Sequence, residues 1–194
     1  MQIQTTGDMK KRSDSMSVLM TAILLSLLFI YLALTLLYNN WTDPLVMMIA
    51  IPLSVVGALL ALALTNTAMS IYAMLGMVML VGLVAKNAIL LVDFANEARA
   101  EGQPVDEALI QAVKLRTRPI LMTALSTIIG MLPVALSQGS GAELRTGMAW
   151  VIIGGMALST LLTLIVVPAL YKAFHARQKS ITKQKVDIEA LLTE

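Results

Sequence analysis

The stretch Gly82-Leu83-Val84-Ala85-Lys86-Asn87-Ala88-Ile89-Leu90-Leu91-Val92-Asp93-Phe94 sets a single lysine inside an otherwise uncharged apolar run. From Pro44 to Ala85 the chain has no Asp, Glu, Lys, Arg or His. If a membrane helix follows this run and ends near Phe94, Lys86 lies about 12 Å inside the boundary at 1.5 Å per residue. A lysine stem does not bridge that depth comfortably, so the ammonium requires a partner or a water-filled cavity. An ionisable group at such depth costs roughly 2.5–3.5 kcal/mol on insertion scales, and such groups usually mark ion or proton pathways. The competing reading is a snorkelling or merely tolerated charge. Depth and the adjacent Asn87 argue against it.

Composition places the rest of the chain in the same setting. Of 194 residues, 58% are hydrophobic and only 13% charged, against about 25% charged in soluble domains. Cysteine is absent and His175 is the only histidine. That excludes a disulfide framework, thiolate metal sites and any multi-histidine cluster. The 14 methionines have no such neighbours and read as packing and lipid contact, since thioether side chains fill irregular apolar space.

The expected fold is all-α: five transmembrane helices plus one interfacial amphipathic helix. Residues 1–15, with Lys10, Lys11 and Arg12, read as a polar lead-in rather than a cleaved leader. Spans are expected over about 16–38, 45–64, 70–94, 119–136 and 147–171, each near the 20 residues a crossing needs. Tyr38 and Trp41 suit the headgroup level, and Asp43-Pro44 reads as a cap and first-turn proline of the second span. Pro52 predicts a kink buried in a bundle. Over 104–117, Val105, Ala108, Leu109, Ala112 and Val113 share one face while Asp106, Glu107, Gln111 and Lys114 face away, the pattern of an amphipathic helix in the interface.

In the fourth span Thr123, Ser126, Thr127 and Gly130 recur at three- and four-residue spacing. That small, polar stripe serves either close helix packing or a hydrated path, and the sequence leaves both open. Gly154, Gly155 and Ser159 form a packing face in the fifth. Residues 172–194 read as a charged tail. Lys and Arg concentrate in the 95–118 connection and in this tail, which puts both on the cytoplasmic side and the amino end outside.

Two motifs carry a family resemblance: Gly82–Phe94, and Arg116-Thr117-Arg118-Pro119-Ile120-Leu121-Met122-Thr123, with Gly154-Gly155 through Val167-Pro168 following. The chain resembles the resistance–nodulation–cell division (RND) efflux transporters, in the flavour of the multidrug branch, and is similar to their last five membrane helices. The resemblance implies an inner-membrane pump of twelve helices in two halves. It implies a homotrimer that exchanges protons for amphiphiles and joins a periplasmic adaptor and an outer-membrane channel. It implies a proton relay of Lys86, Asn87 and Thr123, with Arg116 at the cytoplasmic mouth, and no cofactor beyond the proton motive force. In the family the lysine pairs with two aspartates on a helix of the other half, and that pair has no counterpart here. Asp93, seven residues along, is roughly 10 Å away along the axis, too far for a direct ion pair.

The reading is therefore the membrane portion of a proton-driven exporter, inactive alone, and not an enzyme. No span carries a Ser/His, paired-Asp or metal-ligand constellation. A non-transporting membrane scaffold bound to another polypeptide is the alternative. Lipid and protein are the expected partners, and nucleic acid is not.

Overall fold

A computed structural model describes the backbone of residues 2–139 and 141–192 and the side chains of 14–139, 141–142 and 144–174. The basic cluster of the lead-in, Glu143, His175 and the lysines of the tail beyond Lys172 lie outside those side chains. Every regular element is helical among the described residues: α1 (Gln2–Tyr38), α2 (Thr42–Met48), α3 (Ala50–Leu64), α4 (Ile71–Ala100), α5 (Val105–Ala135) and α6 (Ala142–Leu192). Five helical stretches are long and apolar enough to cross a membrane: Asp14–Tyr38, Thr42–Leu64, Ile71–Ala100, Val105–Ala135 and Leu144–Phe174.

Local chemistry sets the boundaries. α1 stops where Asn39 turns into the left-handed region at φ 47°, and α3 stops two residues before Asn66 at φ 49°, a conformation that Asn tolerates better than most residues. The second span is broken at Ile49 into α2 and α3. Pro52 explains the break, because it has no N–H to offer the Met48 carbonyl. Its ring is exposed, however, and not enclosed by the bundle as the sequence reading expects. Asp43 is not a cap. Asn40 Oδ1 accepts from the Thr42 N–H at 3.1 Å instead, while Asp43 lies in the first turn of α2 with 4% of its surface exposed.

The amphipathic split over 104–117 is present: Ala108, Leu109 and Ala112 are buried, and Asp106, Glu107, Gln111 and Lys114 are exposed. The segment does not end before Pro119, where a separate fourth span is expected. It continues without interruption as α5. Leu115 and Pro119 are both exposed, so the ring and the carbonyl it leaves without a helical donor lie on the outer side, where no neighbouring helix is displaced. A helix of 31 residues is about 46 Å long, which exceeds the hydrocarbon core of about 30 Å. Residues 2–15 and 172–192 are likewise helical, as extensions of α1 and α6.

α6 is the central post, packed against α3, α4 and α5. Small residues bring it close. A Cβ added at Gly57 would stand 2.7 Å from the Gly154 carbonyl oxygen and 2.7 Å from Leu158 Cβ, and one added at Gly155 would overlap the Leu80 side chain. Two backbones can approach this closely only where neither carries a side chain, the usual device of helix packing in lipid. Ser159, 1% exposed, completes the face expected around Gly154 and Gly155. Burial is uneven: 56% of the most apolar window of α4 is buried, against 17% in α5 and 6% in α1.

Candidate functional site

α4 is thirty residues long and carries Lys86 near its middle, about 21 Å from its carboxyl end. The helix runs on to Ala100 rather than stopping near Phe94, so the lysine is deeper in the helix than the sequence implies. Although α4 is the most buried span, one of its stripes is uncovered. Tyr72, Leu75, Met79, Gly82 and Lys86 are exposed at three- and four-residue steps, and Asp93 and Glu97 continue the stripe two turns further on. A Cβ added at Gly82 meets nothing within 4 Å. Lys86 makes no ion pair among the described residues, where the single one runs between Lys172 and Asp106 at 2.8 Å on the exposed rim.

The other expected relay residues are not drawn together with it. Asn87 is 4% exposed; one residue on along a helix turns its side chain about 100° away from Lys86, into the bundle. Thr123 is exposed on α5, and its hydroxyl donates to the Pro119 carbonyl at 2.9 Å. Thr127 donates in the same manner to the Thr123 carbonyl at 2.8 Å. Thr123, Ser126 and Gly130 of the stripe are uncovered among the described residues: all three are exposed, and Gly130 has open space around it. Arg116 is half-buried with its guanidinium 4.5 Å from the centre of the Phe94 ring, a cation–π contact that ties α5 to α4. No hydrogen bond connects Lys86, Asn87, Thr123 and Arg116 to one another among the described residues. Asp93 is engaged elsewhere, accepting from the Tyr38 hydroxyl at 3.2 Å.

A second polar group, which the sequence reading did not assemble, lies where α4 ends. Asn96 Nδ2 donates to Asp43 Oδ2 at 2.9 Å. The Tyr171 hydroxyl donates to Asn96 Oδ1 and accepts from Arg99 Nη1 at 2.9 Å. Arg99 also stands 5.8 Å from the Tyr171 ring centre, near the outer limit of a cation–π contact, so the hydrogen bond is the stronger link. Asn96 spends its amide nitrogen on an acceptor-only carboxylate and its amide oxygen on a hydroxyl, which leaves its orientation no freedom. Tyr171 is fully buried and Asp43 nearly so. Only the spacing of Asn96 and Arg99 on one side of a helix is visible in the sequence. Their partners come from residues more than fifty positions away.

At the other end of the bundle a cavity of about 730 Å³ opens between the α3–α4 and α5–α6 connections, lined in part by Asn66, Ser70, Gln138 and Thr146. None of the expected relay residues reaches it. No group of three or more His, Cys, Asp or Glu side chains suited to a metal ion occurs among the described residues.

The chain is similar to known proteins. The chain is 47% identical over 150 residues to the multidrug resistance protein MdtC of Erwinia amylovora, covering 77% of this chain and 15% of that protein. It is 46% identical over 153 residues to MdtC of Proteus mirabilis, covering 78% and 15%, and 43% identical over 156 residues to MdtC of Yersinia pestis bv. Antiqua, covering 80% and 15%. The chain thus spans about 15% of the length of these relatives. With residues 1–175 matching the family as a whole, five apolar helices and the lysine motif on the fourth element, the chain belongs to the AcrB/AcrD/AcrF family of RND transporters.

Proposed function

We propose that this chain is the carboxy-terminal membrane portion of a proton-driven multidrug exporter, and that Lys86 takes part in proton coupling. One observation carries the reading: a cation midway along the most buried span points out through an uncovered stripe and makes no ion pair among the described residues. A charge so placed is stable only against a carboxylate supplied by another segment of protein or in a hydrated gap. When such a carboxylate is protonated, the ammonium loses its partner and must find new acceptors, so the pair has two discrete arrangements. The exposed Thr123 hydroxyl on α5 is assigned as one of those acceptors. Asn87 enters only if α4 turns, because its amide faces the bundle in this arrangement.

In this reading the stripe on α4 receives a helix carrying an aspartate pair from the amino-terminal half. The complete protein is a trimer of the bacterial inner membrane that engages a periplasmic adaptor and an outer-membrane channel. The Asp43 end of the bundle, where Lys and Arg concentrate, faces the cytoplasm, with Arg116 near that mouth and the first half of α5 at the headgroups. The relatives' names, multidrug resistance proteins, agree in the class of cargo.

The test is Lys86→Met in the complete transporter, with dye export and the quantity of assembled trimer measured together. Export lost with assembly intact is the expected result. Undiminished export defeats the assignment.

A further inference from the structure

Below Lys86, the last third of α4 is bound from one side to three other helices. Asp93 accepts from Tyr38 of α1, Asn96 donates to Asp43 of α2, and Arg99 donates to Tyr171 of α6. Asn96 is the hub, because Tyr171 donates to it as well and joins Asp43, Asn96, Tyr171 and Arg99 into one chain of hydrogen bonds, apart from the Tyr38–Asp93 pair. Each bond tolerates only a few tenths of an ångström and a limited angle. Bonds from one face of the helix to three different neighbours therefore oppose both its rotation and its sliding. Any rotation of α4 about its axis changes the direction in which Lys86, about 15 Å further up, faces. Asp43 suits its place independently, since the first turn of a helix stabilises a carboxylate.

We infer that Asn96 is a positioning residue for the proton-coupled step: through Asp43 and Tyr171 it fixes the rotation and height of α4 against α2 and α6, and so the direction in which Lys86 is presented. The inference rests on the role proposed for Lys86 and adds to it a residue that touches neither proton nor cargo.

The hub can be tested by exchanging its two ends. Asn96→Asp sets a second carboxylate against Asp43. Combining it with Asp43→Asn rebuilds the donor–acceptor pair in reverse and keeps an acceptor for the Tyr171 hydroxyl. In the complete transporter, reconstituted with a pH gradient and a fluorescent substrate, N96D is expected to lower the maximal rate per assembled trimer tenfold or more with the half-saturating substrate concentration unchanged. The double exchange is expected to return to within twofold of the parent. An N96D rate equal to the parent's, or a double variant no better than N96D, overturns the inference.

Thermal unfolding of the 194-residue chain in lipid nanodiscs provides a readout independent of transport. N96D should lower the midpoint and the double exchange should restore it, and failure of that restoration also overturns the hub. If instead Lys86→Met leaves export intact while the midpoint follows this pattern, the hub stands as a structural feature and the proton-coupling role falls with the reading of Lys86.

Discussion

Two polar regions lie on the same helix and are treated oppositely. At the end of α4, Asp93, Asn96 and Arg99 are satisfied by side chains of α1, α2 and α6. In its middle, Lys86 is left on an open stripe with no ion pair among the described residues. A buried polar group left unpaired is costly, so a chain that keeps one in an apolar span either pairs it internally or reserves it for a partner. On the role proposed for Lys86, completeness of pairing, and not polarity, is what separates the two regions.

The sharpest way to break the contrast is at Lys86. Its replacement by Met should abolish proton-driven dye export in the complete transporter and leave thermal unfolding of the 194-residue chain within about 0.5 kcal/mol of the parent, as for surface substitutions generally. A stability loss of several kcal/mol would mean that the lysine is a structural residue after all. In keeping with this, the 194-residue chain reconstituted alone should produce no substrate-dependent proton flux across vesicles bearing a pH gradient.

Glycines give the next effect down. Gly154→Leu forces α3 and α6 apart, because even a Cβ there approaches the Gly57 carbonyl oxygen to 2.7 Å. Overpacking of this kind typically costs about 1–3 kcal/mol, to be read from chemical or thermal unfolding in detergent. Gly82→Ala, on the open stripe, should leave unfolding unchanged or slightly improved, since Ala forms helix better than Gly. Equal losses at the two positions would erase the distinction between closed and open faces.

Tyr171→Phe removes one donor and one acceptor from the satisfied region. Interhelical hydrogen bonds in membrane proteins average about 0.6 kcal/mol and reach about 1.7. A measured loss in that range, greater than for Thr123→Ala, would confirm the ranking. Thr123→Ala should cost nothing in stability beyond about 0.5 kcal/mol and lower export. The smallest effect belongs to Lys172→Ala at the exposed rim pair with Asp106, each side chain about 60% exposed, where screening by water limits the contribution to about 0–1 kcal/mol.

Much of the bundle was legible from composition and period. Five apolar stretches, the amphipathic split before Pro119 and the small-residue face at Gly154 and Gly155 all follow from local regularities that a helix imposes on a sequence. Continuity through Pro119 was not legible. A proline's effect depends on which side of the helix it occupies, and Pro119 lies on the outer side. Asp43 was misread as a cap for a similar reason: its identity suits a cap, but its side chain turns to a helix fifty-three positions away.

The sequence by itself determined that the chain is helical, that it is apolar enough to cross a membrane five times, and that a lysine sits within one crossing, because these depend on residue type and short-range spacing. Tertiary structure alone decided that this lysine faces outward while its neighbour Asn87 faces inward, and that Asn96 gathers Asp43, Tyr171 and Arg99 around the end of its helix. Those outcomes depend on which helix lies against which side, and lateral packing in lipid leaves no period in the sequence from which to read it.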